Sequence, residues 1–213
     1  SCKDSYEAKI PDSILYAYDY SGNDKYTADD YAKIYANDYK GNDKYYLYNS
    51  SASEVNDLKG NDKYTIENSL PDGEYYGHTI TDSDGKDNYT ITNSRGIQLV
   101  DKKGSDKYKI ENIDTKEGEY GKWNFLIGDL KGNDRYELKN VLHYSDRLLE
   151  ASSIADITGN DKYALFTVKN ASIIDTKGKD KYTVKQTEKL VIMENGGSDK
   201  YTIKDGSKNI DIK

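Results

Sequence analysis

The sequence predicts an all-β fold: a parallel β-roll or β-solenoid of about nine two-stranded coils, with variable insertions on one edge. Three observations carry this prediction. A motif recurs nine times on a base period of 19 residues. Apolar and polar side chains alternate with period two inside each copy. Aliphatic residues are too scarce for a thick globular core: 35% of the 213 residues are hydrophobic, and that fraction includes 22 Tyr against two Phe and one Trp.

The motif is G-x-D-x-Y, with its glycines at Gly22, Gly41, Gly60, Gly85, Gly104, Gly132, Gly159, Gly178 and Gly197. Steps of 19, 19, 25, 19, 28, 27, 19 and 19 separate them, so insertions of 6, 9 and 8 residues interrupt a constant period. Counted from its Gly, every copy has Asp at +2: Asp24, Asp43, Asp62, Asp87, Asp106, Asp134, Asp161, Asp180 and Asp199. An acid also stands at −3: Asp19, Asp38, Asp57, Asp82, Asp101, Asp129, Asp156, Asp175 and Glu194. Tyr fills +4 throughout, an aliphatic residue fills +6 in eight copies with Ala28 in the ninth, and an apolar residue fills −5.

Taken in order, residues 1–18 are expected to cap the rod, 19–205 to form the solenoid, and 206–213 to close it as a half-coil through Ile210 and Ile212. Within a coil, Tyr at +4 and the aliphatic at +6 share one face of a strand. Thr, Lys and Glu at +3, +5 and +7 face the other way. The −5 residue belongs to a second strand arriving at the same turn. Insertions near 67–79, 112–125 and 140–153 all fall in the opposite turn, leaving one edge uniform, as stacked coils require. Coils about 4.8 Å apart make a rod roughly 40–45 Å long. Only Val141–Ser153, inside an insertion, reads as helical. Eleven of the 22 tyrosines lie in the first 48 residues, a concentration the repeat does not explain.

Charged residues make up 32% of the chain, with a net charge of −7 and a pI near 5.0. Only three of the 31 basic residues are Arg and no basic run occurs, which argues against nucleic acid and anionic membrane surfaces. A single cysteine, Cys2, excludes an internal disulfide. Its position fits the acylated cysteine of a bacterial lipoprotein no better than an ordinary free thiol. No apolar run reaches the roughly 18 residues of a membrane-spanning helix, and no segment reads as a signal peptide. His78 and His143 both fall in insertions and read as surface residues. With no G-x-S-x-G or H-E-x-x-H and no base near Cys2, the chain reads as non-enzymatic. Thr27, Thr65, Thr90, Thr183 and Thr202 share the outward +5 place, but flanking charges spoil an ice-binding array. Trp123 and Tyr75–Tyr76, in insertions, are the expected contacts for any protein or glycan partner.

A turn explains the motif Gly, as a residue free to take positive φ, and explains +1, which accepts Asn, Ser or Lys. It does not explain an obligatory charge at +2. Stacking sets like carboxylates about 5 Å apart in two rows, at ~1 kcal/mol per neighbouring pair in water and more near a low-dielectric surface. Eighteen of the 38 acids stand in these rows. Two neutralising agents fit. Ca²⁺ takes six to eight oxygens at about 2.3–2.6 Å, so an ion fits between adjacent turns, and the scarcity of His and Cys excludes softer metals. Alternatively, Lys25, Lys44, Lys63, Lys107, Lys162, Lys181 and Lys200 at +3 pair with acids on the neighbouring coil, with Arg135 and Asn88 in the other two copies.

The stretch DLKGNDKYT (57–65) resembles the RTX (repeats-in-toxin) nonapeptide G-G-x-G-x-D followed by any residue and a large apolar one. Asp57 takes the first Gly place, and Gly60, Asp62 and Tyr64 take the later ones. RTX repeats form parallel β-rolls that bind Ca²⁺ in their turns, with two motifs per coil. One motif per 19-residue coil implies calcium ions along one edge only, held by the eighteen acids. The resemblance further implies a module of an exported or cell-surface protein, with a structural or secretion-linked role. The other reading is a metal-independent β-solenoid serving as an adhesin stalk or partner-binding surface.

Overall fold

Period-two alternation of buried and more exposed side chains governs most of the strands. The computed structural model describes residues 3–69, 77–114, 125–143 and 152–213; within them, nineteen strands and no helix form one parallel sheet wound into coils. Trp123, Tyr75 and Tyr76 lie outside the described residues.

The strands form two columns. One runs from β1 (Ser5–Ala8) and β3 (Lys25–Ala28) to β18 (Lys200–Ile203), and holds every +3 to +7 segment. The other runs from β2 (Ile14–Asp19) and β4 (Lys33–Asp38) to β17 (Glu188–Glu194) and β19 (Lys208–Ile212), and holds the segments ending at −3. β15 (Lys162–Asp175) rounds the second corner and pairs in both columns. Like stands beside like: Tyr45 pairs with Tyr64 and Tyr64 with Tyr89, while Asp57 pairs with Asp82 and Asp82 with Asp101. The 25-residue step between Gly60 and Gly85 leaves this register intact on both sides, in the pairing of Lys63–Glu67 and of Thr79–Asp82.

Ten tyrosine rings, from Tyr6 through the nine +4 residues to Tyr201, stack along the rod with centroids 4.6–5.0 Å apart. Each such contact is worth about 0.5–1.5 kcal/mol beyond its area. Beside them lie Leu47, Ile66 and Ile91 at +6 and Val55, Ile80 and Leu99 at −5, all buried. A third inward column at −7 includes Ile34, Ser53, His78, Ile97 and Phe125.

Two sequence expectations fail here. His78 and His143 are buried, not superficial. His78 faces inward because −7 does; its Nδ1 accepts the Ser53 N–H at 3.2 Å, and burial lowers its pKa to about 4. The helical reading of Val141–Ser153 also fails at both ends. Val141 and Leu142 finish β13 (Arg135–Leu142), and Ser152 and Ser153 begin β14 (Ser152–Asp156), while 144–151 lie outside the described residues. Pairing of Val141 with Val168 requires extended backbone there, overriding local propensity.

Positive φ recurs at the second corner. Asn49, Asn68, Asn93, Asn112 and Asn140, all at +8, have φ between 44° and 55°. Their amides form ladders, as where Asn93 Nδ2 donates to Asn68 Oδ1 at 3.1 Å. At the ends, Ile210 of β19 pairs with Leu190, and Asp4, Tyr6 and Ala8 occupy the +2, +4 and +6 places of a partial first copy.

Candidate metal-binding ladder

The first corner, from −3 to +2, carries both rows of acids. Sixteen of the eighteen, Asp19 to Asp180, are buried; Glu194 and Asp199 in the last copy are partly exposed.

The two rows are held differently. A −3 carboxylate accepts the phenol O–H of the preceding coil's +4 Tyr at Oδ2: Tyr45 donates to Asp57 at 2.7 Å, Tyr64 to Asp82 at 2.6 Å and Tyr89 to Asp101 at 2.7 Å. Its Oδ1 accepts a backbone N–H two residues on, as Lys59 donates to Asp57 at 3.1 Å. This accounts for Tyr rather than Phe at +4 in all nine copies: the ring fills the core and the hydroxyl holds an acid. Farther along, the hydroxyl is shared, Tyr136 reaching Asp156 at 2.9 Å and Asp129 at 3.3 Å.

At +2, Oδ1 accepts the N–H of the +2 residue one coil earlier, Asp43 donating to Asp62 at 2.6 Å and Asp62 to Asp87 at 2.5 Å. The other oxygen, Oδ2, is buried without a hydrogen-bond partner in all eight residues from Asp24 to Asp180. A buried carboxylate oxygen left this way is costly, and a row of eight calls for a ligand or a proton.

The rows meet in groups of three: Asp24, Asp38 and Asp43; then Asp43, Asp57 and Asp62; then Asp62, Asp82 and Asp87; then Asp87, Asp101 and Asp106. A fifth, Asp4, Asp19 and Asp24, starts the series, and four more groups exist. Within a group, one oxygen of each acid lies within 4.8 Å of the others. Some point is then within about 2.8 Å of all three, close to the 2.3–2.6 Å of Ca²⁺–oxygen bonds. Asp4 was not among the expected ligands. Its signal was Asp4-x-Tyr6-x-Ala8, which repeats the +2, +4 and +6 pattern with Cys2 in the Gly place.

The motif glycines have a different reason from the one expected. Of the nine, only Gly197 has φ in the left-handed region. A Cβ on Gly60 would overlap the Asp62 carboxylate and the Gly41 carbonyl oxygen, and one on Gly85 the Asp87 carboxylate and the Gly60 carbonyl. Gly keeps open a space on which carboxylate and carbonyl oxygens converge, the donor set a hard cation takes.

Burial raises the acid pKa values. It pushes Asp62, Asp87 and Asp134 up to about 9 and Asp43 to about 7. Asp82 and Asp129 reach only about 6, because the Tyr O–H bond opposes burial. The cations at +3 do not relieve this. They stand on the outer face, and among the described residues the ion pairs join surface neighbours such as Lys103–Asp84 and Lys109–Glu111, none linking a +3 cation to a ladder acid. Alternation explains it: +3 points away from +2. No protein-family model, curated protein or solved structure matches the chain, so the candidate site stands on its own geometry.

Proposed function

We propose that the chain is a calcium-binding, calcium-stabilised β-roll module of an exported or cell-surface bacterial protein, similar to RTX repeats, with a structural or secretion-linked role. The observation that carries this reading is the row of eight buried +2 Oδ2 atoms without partners, each beside a −3 carboxylate. Asp43, Asp57 and Asp62 would hold one ion and Asp62, Asp82 and Asp87 the next, with carbonyls such as that of Gly41 available. A bound divalent cation supplies the charge compensation that buried carboxylates otherwise lack. The unfolded chain has no such site, so binding energy becomes folding energy, which suits a module that folds where calcium is plentiful. The reading is non-catalytic: His78 and His143, the only imidazoles, are core residues.

A metal-independent solenoid, acting as adhesin stalk or partner-binding surface, is favoured by one specific observation. In the coil of Asp57 and Asp62, a Tyr O–H and two backbone N–H groups already engage three of the four carboxylate oxygens, leaving the fourth for a proton. Calcium titration of chelator-stripped protein separates the two. Calcium binding predicts uptake of about nine ions, one per acid group, with a higher melting temperature. A circular dichroism spectrum and melting temperature that ignore millimolar calcium would establish the metal-independent form.

A further inference from the structure

The two outer faces of the rod differ sharply in charge. Where the +3 to +7 strands face solvent, ten of the eighteen side chains at +3 and +5 are charged. Where the other column faces solvent, the eighteen side chains at −6 and −4 include one charge, Glu54. A proportional share for a chain that is 32% charged would be about six. Four exposed large apolar side chains lie on this face: Tyr16 and Tyr18 on the first coil, and Ile174 and Met193, 41% and 37% exposed, on the last two. Part of the tyrosine excess in the first 48 residues is thereby located. Depletion of charge with enrichment of Tyr and Met is the composition of a protein–protein interface core.

The size of the face also fits. Nine strands about 4.8 Å apart, each presenting about five residues at about 3.3 Å, cover roughly 700 Å² per copy, or about 1,400 Å² for a pair. Stable specific interfaces bury about 1,200–2,000 Å².

We propose that a second copy of this chain packs on the uncharged face, the two rods antiparallel about a two-fold axis through the middle coil. The orientation follows from where the bulkiest and the smallest side chains of the face stand. Bulky pairs stand at one end (Tyr16 and Tyr18), and small ones in the other half (Ser153 and Ala155). A two-fold axis near Val100 sets the first coil of one rod on the ninth of the other, tyrosines against Val191 and Met193. It likewise sets Glu54 and Asn56 on Ser153 and Ala155, so that the smallest pair of side chains faces a larger one. Parallel rods would stack tyrosine on tyrosine and leave gaps beside Gly128 and Ala155. The inference depends on the fold and not on calcium.

Sedimentation equilibrium of the whole chain in calcium-containing buffer tests it. The expected species has twice the 24.2 kDa chain mass; a monomer at every concentration overturns the proposal. Val191→Lys and Met193→Lys, which would face Tyr16 and Tyr18 of the other copy and no acid, each place an unpaired charge in the interface and are expected to weaken association by roughly 100-fold or more. Thr183→Lys, on the charged face, is expected to change it less than about threefold. Equal effects at the two faces overturn the proposal. A second measurement does not depend on tolerating lysine. In a Cys2→Ser background, Val100→Cys sits next to its own copy at the axis and is expected to form a disulfide-linked dimer on oxidation. Tyr18→Cys, far from the axis, is expected not to. Cross-linking at both, or at Tyr18→Cys alone, rules out the antiparallel pair.

Discussion

Asp62→Asn separates the two states of the ladder most cleanly. Asn keeps the acceptor for the Asp43 N–H, now held by Asp62 Oδ1 at 2.6 Å, and replaces the unpartnered Oδ2 with an amide. In calcium-free protein at neutral pH the wild-type carboxyl, raised by burial to about 9, already carries a proton. Asn mimics that neutral group, so calcium-free stability should change by less than about 1 kcal/mol. With calcium the substitution removes a ligand from two groups at once, Asp43–Asp57–Asp62 and Asp62–Asp82–Asp87. A site saturated at 100 times its Kd contributes about 2.7 kcal/mol, so losing two removes roughly 5 kcal/mol of calcium-dependent stability. At about 2–4 °C per kcal/mol for a domain of this size, the calcium-induced rise in Tm shrinks by roughly 10–20 °C. Isothermal titration should show two fewer ions bound. Asp84→Asn, an exposed acid beside Lys103, is the control and should alter neither measurement. An Asp62→Asn protein with wild-type stoichiometry and an undiminished calcium shift would refute the shared-ligand arrangement.

Tyr89→Phe keeps the ring stack but removes the Tyr89 phenol donor from Asp101 Oδ2, and should cost about 1–3 kcal/mol in urea denaturation; no loss would mean that the hydroxyl does not hold the acid. Gly85→Ala should cost about 1–3 kcal/mol or more, since its Cβ meets Gly60 and Asp87. Gly128→Ala, with nothing within 4 Å, should be neutral or stabilising, and equal losses at the two sites would contradict the steric argument. Calcium-free protein should lose stability as pH rises from about 5 to 9. Burial raises the folded-state pKa of Asp43 to about 7 and of Asp62, Asp87 and Asp134 to about 9, well above the ordinary carboxylate range, so the folded state binds more protons in that window. A Tm that climbs with pH in chelator would show these groups to be ionised in the fold.

The sequence alone displayed the coil, its period and the inward +4, +6 and −5 columns, because each position keeps one chemical character in nearly every copy. The −7 column escaped notice because Ile34, Ser53, His78 and Phe125 share no character, only a direction set by strand alternation. The same gap made His78 look like a surface residue. The acid rows were visible, and their role as a row could be argued from repulsion. Their hydrogen bonds were not visible, because Tyr64 and Asp82 meet across coils rather than within one motif. A weak signal for the second corner was present in Asn at +8, a residue that tolerates the left-handed region, in five copies.

If calcium fills the acid groups as proposed, the carboxylates they share bear on how the rod loads. Asp62 serves the group below it and the group above, as do Asp24, Asp43 and Asp87. An ion bound in one group fixes a carboxylate that the next group also needs and removes the proton competing for it, so each step lowers the free energy of its neighbour. Coupling of this kind runs between nearest neighbours along the stack, as in other repeat arrays. It predicts a sigmoidal calcium titration with a Hill coefficient above 1. It also predicts that position matters when stoichiometry does not. Asp24→Asn and Asp62→Asn each touch two groups, but Asp24 lies beside the exposed end at Asp4, whereas Asp62 divides the ladder. Calcium titrations followed by tyrosine fluorescence should therefore show a lower Hill coefficient for Asp62→Asn than for Asp24→Asn, although each loses two ions. Equal Hill coefficients would mean that the groups fill independently, and that adjacent ions are coupled by neither the carboxylates nor the coils between them.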